Sequence, residues 1–136
     1  MRVLICGGRD FLKWHYLEGA LDIIAAGTPI TCVISGGAKG ADTLAEYWAY
    51  QRGIQREIYQ ADWTQYGKAA GAIRNSRMLK EGKPELVIAF PGGKGTANMI
   101  EQATAANIPI IKLDGITYEA AGRVDGSGAK SIKRAS

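Results

Sequence analysis

Three short segments of this chain combine glycine with charged side chains in a way that suits the binding of an anion. They are GGRD at residues 7–10, SGGAKGAD at 35–42 and PGGKGT at 91–96. Glycine lets a backbone approach a phosphate closely, and the free N–H groups at a helix N-terminus attract negative charge. A single glycine pair is a weak signal, because glycines also make ordinary tight turns. Three such turns together, two of them with a lysine, favour a site for a phosphorylated ligand.

Apolar runs and helical periods alternate along most of the chain. Strands are predicted at 2–6, 30–35, 54–60, 85–90 and 108–113, and helices at about 12–26, 40–52, 66–81 and 95–106. The apolar runs are continuous, which is typical of parallel strands covered by helices on both faces. The predicted fold class is α/β, a single Rossmann-like domain of about five mostly parallel strands sandwiched between helices.

Each glycine turn follows a predicted strand, so the fold class decides where the turns lie. The carboxyl ends of parallel strands share one edge of the sheet, and ligands bind at that edge. In the common strand order 3-2-1-4-5, turns 7–10 and 91–96 would face each other across a crevice. We expect residues 1–114 to form this nucleotide-ligand-binding domain, and residues 115–136 to be a partly flexible C-terminal extension.

Charged residues in and near the turns extend the candidate site. Arg74 and Arg77 lie three residues apart on one predicted helix, so they are expected to share a face that binds phosphate or carboxylate. No catalytic group stands out, because His15 is the sole histidine and sits beside Trp14. Asp10 and Asp42 are the candidates for a general base, although for Asp42 we favour a role as a helix cap or as a ligand of a ribose hydroxyl.

The predicted ligand-binding residues therefore come from the three turns and from this helix. They are Gly7, Gly8, Arg9, Asp10, Ser35, Gly36, Gly37, Lys39, Asp42, Arg74, Asn75, Arg77, Pro91, Gly92, Gly93, Lys94, Gly95 and Thr96. Cys6 and Cys32 are separate thiols in apolar runs and make no zinc pattern, so no metal and no cofactor are predicted.

Composition argues against two classes of partner. The net charge of +4 owes much to Lys130, Lys133 and Arg134 near the end of the chain, and three charges make a weak footprint for a nucleic acid. No apolar run approaches the roughly 20 residues that a membrane span needs. The apolar run after Met-Arg is also too short for a signal peptide, so we expect a cytoplasmic location without membrane contact.

Four segments, taken together, resemble the SLOG superfamily, the Rossmann-like group that contains DprA/Smf and the LONELY GUY phosphoribohydrolases. They are GGRDF (7–11), SGGAKGADTLAEYWA (35–49), ADWTQYGKAAGAIRNSRML (61–79) and PGGKGTANM (91–99). The chain is most similar to the small YspA/YpsA-related branch from bacteria and phages, whose function is unknown. The resemblance implies a nucleotide or nucleotide-derived ligand held by the glycine turns, and a homo-oligomer.

The chain departs from the LONELY GUY pattern at two positions. Those enzymes cleave the N-glycosidic bond of cytokinin ribotides and carry Pro-Gly-Gly-x-Gly-Thr-x-x-Glu, whereas Met99 stands at the Glu position here. Asn75 follows Arg74 where the enzymes have Lys. These differences favour a binding module that acts as sensor, carrier or sponge. A nucleoside 5′-monophosphate N-glycosidase is the alternative, and binding of single-stranded DNA is a weaker one.

Overall fold

The structure, a computed structural model, describes residues 1–122. Five strands, all parallel, form one sheet: β1 (Arg2–Cys6), β2 (Cys32–Ser35), β3 (Gln55–Ile58), β4 (Leu86–Ala89) and β5 (Ile110–Lys112). The helices are α1 (Trp14–Gly27), α2 (Ala41–Gln51), α3 (Trp63–Tyr66), α4 (Ala70–Gly82) and α5 (Lys94–Ala105), with 3₁₀ turns at Gly67–Ala69 and Ala120–Gly122. The strand order is β3-β2-β1-β4-β5, which confirms the predicted α/β class.

The sheet separates two apolar clusters, because successive side chains of a strand point to opposite faces. Val3 and Ile5 of β1 pack with Leu17 and Trp48, on the side of α1 and α2. Leu4 packs on the other side, in the cluster that includes Met78 of α4 and Met99 of α5. The central strands β1, β2 and β4 are therefore covered on both faces, as their continuous apolar runs predict.

One of the two edge strands and one helix differ from the sequence prediction. Strand β3 is shorter than the predicted run 54–60 and largely exposed, since only one of its sides has a neighbouring strand. The helix predicted at 66–81 is divided, because Gly67 takes a positive φ of 54° that a continuous helix does not accommodate. The short helix α3 precedes the break, and Asp62 caps it by accepting a hydrogen bond of 3.0 Å from the Gln65 N–H.

Residues 115–122 pack against α1, beyond the predicted domain limit at 114. The Tyr16 hydroxyl donates a hydrogen bond of 2.6 Å to the Thr117 carbonyl, and the ring of Tyr16 stacks on Tyr118 with 4.9 Å between centroids. Ala121 is buried in the cluster below them. The remaining residues of the predicted extension, 123–136, lie outside the described part of the chain. Among residues 1–122, no helix has the length and apolarity to cross a membrane.

The Tyr16 hydroxyl provides a test of this packing. Tyr16→Phe should lower the free energy of unfolding by about 1 kcal/mol, because the part-buried hydrogen bond to the Thr117 carbonyl is lost while the ring stays. Urea unfolding of wild type and variant measures this difference. Tyr50→Phe is the matched control, since Tyr50 is exposed and its hydroxyl has no hydrogen bond within residues 1–122. Equal unfolding midpoints for the two variants would contradict the role of this contact.

Candidate functional site

The first and third glycine turns are joined directly through their backbones. The Gly8 N–H donates to the Pro91 carbonyl at 2.8 Å, which extends the pairing of β1 with β4 past the end of both strands. A Cβ on Gly8 would lie 3.0 Å from the Cα of Gly92, and a Cβ on Gly92 would lie 2.6 Å from the Gly8 nitrogen. Both positions therefore require glycine for the contact between the turns.

The second turn is pressed against the first in the same way. The Ala41 N–H donates to the Gly8 carbonyl at 3.1 Å, and Gly40 has a positive φ of 77°. A Cβ on Gly40 would collide with the carbonyl oxygen of Gly8, and a Cβ on Gly7 would lie 2.6 Å from that of Ala41. The three turns thus form one continuous wall at the carboxyl edge of β1, β2 and β4.

A crevice of about 650 Å³ opens between these turns and the helix α4. Its floor is apolar and consists of the buried side chains of Cys6, Phe11 and Met78. Most of the sequence-predicted residues line it, namely Gly7, Gly8, Arg9, Asp10, Asp42, Arg74, Asn75, Pro91, Gly92, Gly93, Lys94, Gly95 and Thr96. Gly36, Gly37 and Lys39 instead line an adjoining cavity of about 450 Å³.

Ser35 and Arg77 line neither space. Ser35 is fully buried, and its hydroxyl donates to a carboxylate oxygen of Glu46. Arg77 forms an exposed ion pair with Glu81 at 3.1 Å and lies over the ring of Tyr59. Residues three apart on a helix are offset by about 60° around its axis, and here that offset separates Arg77 from Arg74. Of these two arginines, only Arg74 lines the crevice.

The N-terminus of α5 is open to the crevice. Gly93 precedes the helix with an ordinary φ of −101° and provides no side-chain cap. A Cβ on Gly93 or on Gly95 would have no atom within 4 Å, in contrast to one on Gly92. The first N–H groups of a helix have no partner within it, so those of α5 are available to an anion.

Arg74 and Asn75 connect α4 to the turns. Arg74 donates to the Gly36 carbonyl at 2.7 Å through Nη1 and to Asn75 Oδ1 at 3.0 Å through Nε. The Asn75 amide nitrogen donates in turn to the Gly95 carbonyl at 3.2 Å and to Asn98 Oδ1 at 3.0 Å. One buried asparagine therefore holds the guanidinium and the first turn of α5 in a common geometry.

The two candidate carboxylates differ in environment. Asp10 is exposed at the mouth of the crevice. Asp42 is 6% exposed, and Oδ2 accepts a hydrogen bond of 3.1 Å from the Ala38 N–H. Burial raises the pKa of Asp42 to about 6, although the Ala38 N–H and the positive charge of Arg74 oppose the shift. Asp42 therefore exchanges its proton near pH 6.

Trp63 and Met78 are among the crevice-lining residues that lie outside the predicted set. Trp63 is half exposed, and the Arg9 guanidinium carbon lies 5.8 Å from its ring centroid. Met78 follows Arg74 by four residues, so helical periodicity places both on one face of α4. Cys6 also lies at the floor, where burial raises the pKa of its thiol to about 12, so it remains a protonated apolar group at neutral pH.

Comparisons with known proteins agree with this architecture. A family model described as the YspA, cpYpsA-related SLOG family matches residues 1–66. The Gene 61 protein of Mycobacterium phage D29 is 37% identical over 123 residues, which cover 82% of this chain and 95% of that protein. The crystal structure of DNA processing protein A (DprA) from Streptococcus pneumoniae has a similar fold, with a TM-score of 0.66 at 18% identity.

That structural match covers 89% of this chain but only 53% of DprA, so the chain spans about half the length of the larger protein. At this identity the likeness concerns the fold, namely a five-stranded parallel sheet flanked by helices. The phage relative is matched over nearly its whole length. The resemblance to the SLOG superfamily, which the glycine-rich segments predicted, is confirmed. The chain belongs to the YspA, cpYpsA-related SLOG family.

Proposed function

We propose that the crevice binds a nucleotide or a nucleotide-derived small molecule, and that the protein acts as its sensor, carrier or sponge. The observation that carries the proposal is the uncapped N-terminus of α5, which opens into the same crevice as Arg9 and Arg74. A volume of about 650 Å³ lies within the usual range for small-molecule sites.

The phosphate is assigned to the first turn of α5. Free N–H groups and the helix dipole favour an anion there, and Gly93 and Gly95 leave their side-chain space open for it. Lys94 and Arg9 line the same crevice and form no ion pair within residues 1–122. Their charges are therefore available to a phosphate.

The nucleoside is assigned to the remainder of the crevice. Phe11, Met78 and Cys6 offer an apolar floor against which a base can pack. The Asp10 carboxylate at the mouth suits the hydroxyl groups of a ribose. A charged edge and an apolar floor in one crevice match the two ends of a nucleotide.

Met99 favours binding over catalysis. It replaces the Glu of the LONELY GUY motif, and it is 1% exposed in the apolar cluster with Met78 and Leu4. Cleavage of an N-glycosidic bond builds positive charge on the ribose, which a nearby carboxylate stabilises. A thioether in an apolar cluster supplies no such charge, so this position contributes packing instead.

Asp42 is the observation that favours the alternative, a nucleoside 5′-monophosphate N-glycosidase. It lines the crevice, and a carboxyl whose pKa is about 6 exchanges its proton near neutral pH, as a general acid or base must. The fold likeness to DNA processing protein A adds single-stranded DNA as a further phosphate-bearing candidate. An oligothymidylate therefore belongs in every binding experiment, where a steep salt dependence would identify nucleic-acid binding.

Gly93→Val should abolish the binding of AMP. The new side chain occupies the open space before α5 and blocks the approach of the phosphate, and the melting temperature without AMP checks that the variant is folded. Thermal stability with and without AMP measures the effect, because ligand at 100 times its dissociation constant adds about 2.7 kcal/mol.

The matched control for this experiment is Gly27→Val. Gly27 is exposed at the end of α1, and a Cβ there also has no atom within 4 Å. This variant should bind AMP as the wild type does. Undiminished AMP binding by Gly93→Val would reject the phosphate assignment.

Purified protein should not release adenine from AMP at the rate of an ordinary enzyme, which is about 1–10³ per second. The reason is the missing carboxylate at Met99, since the loss of one well-placed electrostatic group costs about 10²–10³-fold in rate. Chromatography of free base against time measures the turnover. Release at several turnovers per second that Asp10→Asn or Asp42→Asn abolishes would establish the N-glycosidase instead.

Asp42→Asn should raise the free energy of unfolding at neutral pH. The folded chain releases the Asp42 proton near pH 6 and the unfolded chain near the ordinary value of 3.8. The folded state therefore binds more protons between these values, and the contribution of Asp42 to stability falls as the pH rises from about 4 to 6.

Asp42→Asn is expected to raise the free energy of unfolding by about 2–3 kcal/mol at pH 7.5, since each pKa unit corresponds to about 1.4 kcal/mol. The increase should vanish near pH 4. Urea unfolding at the two pH values measures it. If Asp42→Asn changes the free energy of unfolding equally at pH 7.5 and at pH 4, the buried carboxyl is not the cause of the change.

A further inference from the structure

The adjoining cavity of about 450 Å³ has its own chemistry, which the proposed function leaves unused. Gly36, Gly37 and Lys39 of the second glycine turn form one wall, and Gln60 with Ala61 forms another. Five residues line both this cavity and the crevice, namely Arg9, Asp10, Ala38, Trp63 and Arg74. The two spaces are therefore neighbours that share a wall, rather than separate sites.

The side chains of this second cavity suit a flat heterocycle. Trp63 is 50% exposed and presents an indole ring to it. The side chain of Gln60 lies against Gly37, and its amide has no hydrogen-bond partner within residues 1–122. A free carboxamide offers both a donor and an acceptor to the edge of a base, and an indole offers a stacking surface. Both groups are unnecessary for a ligand that fills only the crevice.

The shared wall carries two guanidinium groups. Arg74 is held by the Gly36 carbonyl and by Asn75, and Asn75 also bonds the first turn of α5. Arg9 lies over Trp63 and has no ion-pair partner in the described chain. The α5 N-terminus and this arginine pair offer two groups of donors that suit two linked phosphates, while the Asp10 carboxylate lines the same wall.

We infer that the ligand is a pyrophosphate-linked dinucleotide, which rests on the proposed function and extends it. One nucleoside occupies the crevice, and the two phosphates run from the N-terminus of α5 to Arg9 and Arg74. The second base stacks on Trp63 in the adjoining cavity and pairs with Gln60. A mononucleotide engages the first half of this site alone.

The experiment compares diadenosine 5′,5′-pyrophosphate with ADP by calorimetric titration. Both carry two linked phosphates, so the comparison isolates the second nucleoside. The dinucleotide should bind at least about tenfold more tightly, which is a typical contribution of one base stacked on an aromatic ring. Trp63→Ala should reduce this ratio to about one, and Gln60→Ala should reduce it in part.

Tyr50→Ala is the matched control for Trp63→Ala. Tyr50 is an exposed ring with an arginine, Arg56, over its face, as Trp63 has Arg9, but it lines neither cavity. This variant should keep the wild-type ratio. Trp63→Phe should also keep the ratio, because the ring remains, and should lose any quenching of tryptophan fluorescence that the dinucleotide causes.

The outcomes separate the two proposals. A dinucleotide that binds no more tightly than ADP would overturn the dinucleotide inference, while ADP binding would leave the proposed function standing. A tighter dinucleotide whose advantage survives Trp63→Ala would overturn the assignment of the second base. Failure of AMP, ADP and the dinucleotide to bind would overturn both proposals together.

Discussion

The backbone of Gly8 is the contact on which the rest of the site depends. Its N–H bonds the Pro91 carbonyl, and its carbonyl accepts the N–H of Ala41, so three turns from three strands meet at one residue. Any side chain at Gly8 would press on Gly92, and the turns would separate. A separation here would widen the crevice and move the N-terminus of α5 away from Arg74, because that helix follows directly from the third turn.

This constraint divides the glycines into two groups. Gly7, Gly8, Gly40 and Gly92 allow close backbone packing, whereas Gly93 keeps space open toward the crevice. The sequence pattern does not distinguish these roles, since Gly92 and Gly93 are adjacent glycines of which one packs closely and the other stays open. Space around a Cβ is a property of the assembled turns, so only the structure separates a glycine that packs from one that can admit a ligand.

Much of the architecture could be predicted because it follows from local pattern and general topology. Continuous apolar runs such as RVLIC and ELVIAF indicate parallel strands, and the strand order then brings turns 7–10 and 91–96 together. The divided helix could not be predicted in this way, because its break depends on the φ of Gly67. The adjoining cavity was also missed, since Gln60 follows an exposed edge strand and carries no motif.

The arginines show why charge alone is a poor guide to the site. Arg2, Arg52 and Arg77 are directed at carboxylates, in ion pairs of 2.8, 2.9 and 3.1 Å. Arg74 is instead anchored by a carbonyl and an amide oxygen, and Arg9 by an aromatic face. Neutral partners orient a guanidinium without cancelling its charge, so Arg9 retains its attraction for an anion, whereas Asp42 interacts electrostatically with Arg74 and offsets part of its charge. Because a single sequence does not show which arginine has which partner, the separation of Arg77 from Arg74 became evident only in the folded chain.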